Sequence, residues 1–194
     1  MQMGIVQFFW AIDKSNEAVV KGLLQTPSLI HVRDWEQGLP LHRCRDHKIL
    51  GLTLDAIEQK RLRPSSTYGP GAFLINIDST DVYGRTALLT MCEQCHLEMM
   101  KQLLKAGAGV NKSDKIGKSP ILVCLLSNAE RAKKEEMVLR LLEKHADPDQ
   151  QDIHCNTAGS QLRRGFSSEV TAERFFEQDP TAALLEMERS SAPG

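Results

Sequence analysis

Apolar positions in the middle of the chain fall at helical spacing. Met99, Met100, Leu103 and Leu104 step by one, three and one residues, the one-sided stripe of an amphipathic helix. A shorter apolar stretch begins near Thr86 and is separated from that stripe by a break near Cys95. Gly84 ahead of the two stretches and Gly107 behind them mark turns. The pattern predicts a unit made of a turn, a short helix, a break, a second helix and a loop. This unit recurs: Asp81-Val82-Tyr83-Gly84-Arg85-Thr86-Ala87-Leu88 is followed 33 residues later by Asp114-Lys115-Ile116-Gly117-Lys118-Ser119-Pro120-Ile121.

That period and those motifs resemble the ankyrin repeat. Carried backwards, the register meets Gly38-Leu39-Pro40-Leu41-His42, the family's turn-plus-helix opening, with Asp34 in the place of Asp81. A further step places a first unit at Met1, with Gly4 at a turn and Phe8, Ala11, Val19, Val20, Leu23 and Leu24 at core positions. Forwards, His145-Ala146-Asp147-Pro148-Asp149 stands where the family has Gly-Ala-Asp, and Asp152 opens a fifth unit that stops after Ala158. The resemblance implies an all-α solenoid of stacked helix-turn-helix units with projecting hairpins. Its repeats fall at about 1–33, 34–80, 81–113 and 114–151, with a partial one at 152–158 and a largely disordered or weakly helical tail at 159–194.

Two stretches exceed the period. Repeat two carries about 14 extra residues, placed at Lys60–Phe73, where Pro, Gly and Ser predict a protruding loop. Repeat four carries about five, around Ala129–Lys134, in a helix-favouring sequence expected to lengthen the start of the second helix. Each unit buries one apolar stripe per helix against its neighbours, so at least three units are needed for stability. Leu23, Leu24, Leu103, Leu104, Leu141 and Leu142 are the expected inter-repeat core, each contributing about 1.5–3 kcal/mol when fully buried. Ala11, Ala18, Cys44 and Cys124 are expected to let helices approach closely. Neither end shows a polar cap. Ile5, Val6, Phe8, Phe9 and Trp10 open the chain, which suggests a shortened form of a longer ankyrin protein or ends covered by a partner. In the tail, Ser168–Gln178 and Thr181–Arg189 have helical character.

Composition agrees with this picture and removes other functions. Hydrophobic residues make up 41% and aromatic ones 5%, lean enough to favour a helical core of Leu, Val, Ala and Met over a β-sandwich. With 24 basic and 25 acidic side chains the net charge is −1, so nothing in the overall field draws a nucleic acid or an anionic membrane. No apolar run reaches the roughly 20 residues that span a bilayer. Five cysteines without regular spacing read as reduced thiols, and a cytoplasmic or nuclear protein is expected.

Cys92-Glu93-Gln94-Cys95-His96 spells a haem-attachment pattern, but the repeat register assigns Cys92 to a buried helix position, Cys95 to a turn and His96 to the start of the second helix. His42, Cys44 and His47 have loosely zinc-like spacing without the second ligand pair that a closed site needs. The resemblance also gives His42 a structural bond to the backbone across its turn. No catalytic, cofactor or metal site is expected, and an enzyme would need a catalytic segment in a tail that lacks His and Cys. Lys60, Arg61 and Arg63 before Ser65, Ser66 and Thr67, and Arg164 before Ser167, fit a basophilic kinase but occur often by chance. What the resemblance does imply is a protein partner across the hairpin tips and the exposed side of the first helices. Residues at those positions are Trp35 and Glu36, then Val82, Tyr83 and Arg85, then Lys115, Ile116 and Lys118, with Asp46, His47, Glu93 and Gln94 assigned to first helices. Trp35, Tyr83 and Arg85 are the expected anchors of an adaptor or scaffold, with a single-face inhibitor as the alternative.

Overall fold

A computed structural model describes residues 2–26, 29–62 and 75–165. Among them every regular element is helical. The helices are α1 (Gln2–Asp13), α2 (Glu17–Leu24), α3 (Pro40–Arg43), α4 (His47–Leu62), α5 (Ala87–Glu93), α6 (Leu97–Lys105), α7 (Pro120–Leu126), α8 (Arg131–Leu142) and α9 (Ala158–Gly165). Local chemistry sets where they begin and end. Thr86 accepts the Leu89 amide at 3.2 Å and Asn16 accepts that of Val19 at 3.2 Å, capping α5 and α2. Pro40 and Pro120 begin α3 and α7, at a position where no backbone donor is missed. Ser15 and Cys95, at φ 51° and 55°, reverse the chain between the helices of a pair.

Odd-numbered helices α1, α3, α5, α7 and α9 stack in one row, α2, α4, α6 and α8 stack in a second, and each pair closes across the two. The core is the seam between the rows. Leu103, Leu141 and Leu142 are fully buried, while Leu23, Leu24 and Leu104 are half-buried against it. Phe8, Ala11, Val20, Cys44 and Cys124 are buried as expected from the sequence. Val19 and Ala18 are not: both are exposed on α2.

Several expectations change where the units depart from one another. Gly4 lies within α1 rather than in a turn, because the chain is already helical at Gln2 where later units have a hairpin. In the second unit, α3 has four residues against seven in α5. Ile49, Leu50 and Thr53 are buried like Met99, Met100 and Leu103, fifty residues apart rather than the forty-seven that separate Asp34 from Asp81. One turn of the first helix is therefore missing, and the extra residues after α4 are correspondingly more numerous. Helix α4 also runs to Leu62, so Lys60–Leu62 are helical rather than part of a loop. The rest of that stretch, including Ser65, Ser66 and Thr67, lies outside the described residues.

In the fourth unit α8 begins at Arg131, four positions ahead of the counterpart of Leu97, so the added residues do lengthen the start of that helix. His145, at φ 62°, occupies the place of Gly107 at φ 87°. The fifth unit does not stop at Ala158. Helix α9 continues to Gly165, packs on α7 and buries Ala158 and Leu162, which gives this end of the stack a cover. Thr157 and Ser160 start it by reciprocal bonds, Ser160 N–H to Thr157 Oγ1 at 3.0 Å and Thr157 N–H to Ser160 Oγ at 3.3 Å. Ser167 and the two tail segments lie outside the described residues.

Two turn glycines separate the roles that this residue plays. Gly107 has φ 87° and nothing within 4 Å of an added Cβ. At Gly117, φ is 80° and the Cβ would stand 2.9 Å from Asp152 Cα and 3.1 Å from the Gln151 carbonyl oxygen. Gly107→Ala should therefore lose only the backbone preference, about 1–2 kcal/mol. Gly117→Ala should lose more, because the next hairpin must move. Urea unfolding of both variants checks the order, and equal losses would refute it.

Candidate protein-binding surface

Four hairpin tips are built on one plan, each beginning with an aspartate. Asp34 Oδ1 accepts the amides of Glu36 and Gly38 at 2.9 and 2.8 Å, and Asp81 Oδ1 accepts those of Tyr83 and Arg85 at 2.8 and 2.9 Å. Asp114 holds Ile116 and Lys118 at 3.0 and 2.9 Å, and Asp152 holds His154 and Asn156 at 2.8 and 2.9 Å. The third residue after each aspartate, Gln37, Gly84, Gly117 or Cys155, has positive φ. Asn156 also gives its side-chain amide to Asp152, and together these bonds hold the Asp152 carboxyl below the usual carboxylate range.

Neighbouring tips are joined by one backbone bond each. The Val82 amide donates to Glu36 O at 2.9 Å, Lys115 to Tyr83 O at 3.1 Å and Ile153 to Ile116 O at 3.0 Å. Trp35 has the corresponding amide at the start of the row, and among the described residues it finds no acceptor. This ladder fixes the side chains beside it. Trp35 is 77% exposed, Ile153 64% and Tyr83 51%, with Val82 and Ile116 also exposed, so apolar groups follow one another along four successive tips. Sequence reading missed Ile153, although Asp152 stands in register with Asp114 and points to it.

Arg85 is held rather than free. Its Nε donates to Asp81 Oδ2 at 2.8 Å, one terminal nitrogen lies 3.3 Å from Glu93 Oε2, and the guanidinium carbon stands 4.7 Å from the Tyr83 ring centroid. The structure thus brings Tyr83, Arg85 and Glu93 into one cluster. Gln94 and Glu36 line an adjoining cleft of about 110 Å³ with Asp34, His42, Arg43, Arg45 and Asp81. Small-molecule sites are larger, about 300–1,000 Å³, so the cleft is sized for a side chain. Lys115 and Lys118 flank Ile116 on the fourth tip, where Lys115 is exposed and Lys118 half-buried.

Asp46 and His47 are placed differently from the sequence assignment. Since α3 ends at Arg43, neither belongs to a first helix. Asp46 accepts the Lys48 amide at 2.7 Å ahead of α4, and His47 is the first residue of that helix. His42 takes the structural role expected of it. Its Nδ1 accepts the Leu39 amide at 3.1 Å, leaving Nε2–H to donate to Arg85 O at 3.0 Å in the next unit. Cys92 and Cys95 are buried in the α5 turn region, and burial raises the Cys92 thiol well above its ordinary value. Among the described residues no group of three or more His, Cys, Asp or Glu side chains could hold a metal ion.

Residues 69–152 match the family described as ankyrin repeats (3 copies). This stretch contains α5 to α8, and over it the chain is similar to ankyrin-repeat proteins. Proteins of this class are generally protein–protein interaction modules. No curated protein matches the chain.

Burial holds the His42 imidazole below its ordinary value of 6.5, against the raising effect of its bond to Arg85 O and of Asp81. The unfolded chain therefore binds more protons just below that pH, and stability present above 6.5 is lost as the pH falls toward the folded value. His96 is lowered in the same way by burial, then by Lys133. The unfolding free energy should fall between about pH 7.5 and about pH 5.5, and His42→Gln should flatten part of that slope. Urea titrations at both pH values measure it, and an unchanged slope in the variant would remove His42 from the account.

Proposed function

We propose that the chain is a non-catalytic protein-binding module, an adaptor or scaffold that holds its partner along the hairpin tips and the adjoining first-helix face. The observation that carries this reading is the row Trp35, Val82, Tyr83, Ile116 and Ile153, exposed on successive tips whose backbones are bonded together. A partner meeting this row loses little flexibility of the chain, because the tips are ordered before it arrives. Trp, Tyr and Arg dominate interface energetics, and Arg85 reaches a partner already fixed by Asp81 and stacked on Tyr83.

Charges beside the row are of both signs: Glu36, Arg85, Glu93, Lys115 and Lys118. Such a surface suits a protein segment with apolar anchors and mixed charge rather than a polyanion. No helix among the described residues is long and apolar enough to cross a membrane. Unpaired thiols at Cys44, Cys92, Cys95, Cys124 and Cys155 support work in the cytosol or nucleus.

Trp35→Ala, Tyr83→Ala and Ile116→Ala combined should weaken partner binding at least about thirtyfold, the loss of one strong anchor or more. Arg85 is better left in place, since removing it would strip a buried aspartate of its ion pair. Crosslinked capture from cell lysate, with folding checked by circular dichroism, compares the two proteins. Partners retained by the triple variant would move the site away from the tips.

A further inference from the structure

Each hairpin aspartate gives one oxygen to two backbone amides, which leaves its other oxygen to be matched. Asp81 Oδ2 is matched by Arg85, whose Nε and one terminal nitrogen both lie 2.8 Å from it, and Asp152 Oδ2 accepts the Asn156 side-chain amide at 3.1 Å. Both partners stand four residues after their aspartate, where the Asp114 hairpin has Lys118. After Asp34 that position is Gly38, which has no side chain to give. The Asp34 carboxylate is only 5% exposed, yet among the described residues its Oδ2 accepts no hydrogen bond. Arg43 lies 3.8 Å from that oxygen, beyond hydrogen-bond length, and gives its bond to Asp13 at 2.7 Å. A Cβ on Gly38 would stand 3.4 Å from Asp34 Oδ2, and both residues line the cleft of about 110 Å³ described above. The place that Arg85 fills in the Asp81 hairpin is therefore empty space in this one. Glu36 stands where the other hairpin has Tyr83, the ring against the guanidinium, so a second carboxylate borders the same cleft. Of the other charged residues lining it, Arg85 is paired with Asp81 and Arg43 with Asp13. That leaves Asp34 and Glu36 against Arg45, which is exposed, where water and salt screen its charge.

We propose that this cleft receives an arginine side chain of the partner, its guanidinium on Asp34 Oδ2 as the chain's own Arg85 sits on Asp81. The assignment rests on the hairpin tips being the partner-binding surface, and it adds the cation that the partner carries beside its apolar anchors. Asp34 is already withdrawn from water, so an incoming guanidinium gains charge-assisted bonds without a large new desolvation cost on the protein side. Arginine fits better than lysine, because a planar fork can bring two nitrogens to one carboxylate, as Arg85 does, and is more weakly hydrated than an ammonium. Trp35 adjoins Asp34 in the chain and is 77% exposed, which sets an apolar anchor next to the charged one.

Titration of the nitrogen-labelled full chain with N-acetyl-arginine methylamide, followed by NMR, tests the subsite without the partner. The Glu36 and Gly38 amides, both bonded to Asp34 Oδ1, should shift and saturate at millimolar probe, and N-acetyl-lysine methylamide should shift them less. Asp34→Asn keeps an acceptor for the two amides while removing the charge, and should raise the probe's dissociation constant at least about tenfold. Gly38→Arg should fill the cleft from within and abolish the shifts, at the cost of a small adjustment around its Cβ, 3.3 Å from Asp34 Oδ1. In crosslinked capture from lysate, Gly38→Arg should also lose partners that the wild-type chain holds, although Trp35, Tyr83 and Ile116 are intact. No saturable shift with the arginine probe overturns the proposal, as does an equal response to the lysine probe or one that survives Asp34→Asn. Partners kept by Gly38→Arg but lost by the triple tip variant would overturn the arginine contact and leave the tip surface standing. Partners kept by both would remove the contact and the tip surface together.

Discussion

The fold rests on a carboxylate at the head of each hairpin that does the work of a loop. Asp34, Asp81, Asp114 and Asp152 each close a hairpin with two amide bonds to one oxygen, and each closed hairpin presents the amide and carbonyl that join it to its neighbours. Asp81 and Asp152 are 7% and 5% exposed, yet their charge is compensated by amide dipoles and, at Asp81, by Arg85. Hydrophobic burial between the helix rows provides the larger share of stability. It does not by itself fix the register of one unit on the next, and the tip-to-tip bonds do.

That division explains how the binding row arises. Apolar side chains on a flexible loop would fold back or spread apart. Here Tyr83 is confined from both sides, its amide held by Asp81 and its carbonyl bonded to Lys115. The same device works along the inner loops. Gly109 donates to Asp78 at 2.7 Å, and Asn111 bridges to Asp147 and His145, so both edges of the stack are tied by short polar contacts.

Much of this was legible in the sequence, and the failures have physical causes. The 33-residue spacing of Asp81 and Asp114, the helix start near Thr86 and the helical stripe of Met99 to Leu104 are local signals, and each appears where the pattern places it. The missing turn of α3 was invisible because a loss inside the second unit is masked by a larger gain after α4. Asp46 and His47 were consequently assigned to the wrong helix. Helix α9 was overlooked because Gly159 and Ser160 are poor markers of a helix, and packing of Ala158 and Leu162 on α7 outweighs propensity there. Val19 failed as a core position and Ala18 as a site of close approach because burial in a stack depends on the neighbour, which no periodicity within one unit reports.

The shortened α3 has a consequence for how the molecule comes apart. In a linear stack cooperativity is carried only between nearest neighbours, and it thins wherever one contact is reduced. Helix α5 packs more extensively on α7 than on α3, so the junction between the second and third units is the weaker link. It is bridged by directional bonds: Val82 to Glu36, His42 to Arg85 and Arg33 to the Thr80 carbonyl. Because one of these bonds comes from the His42 imidazole, a protonation event at a single ring acts on this junction.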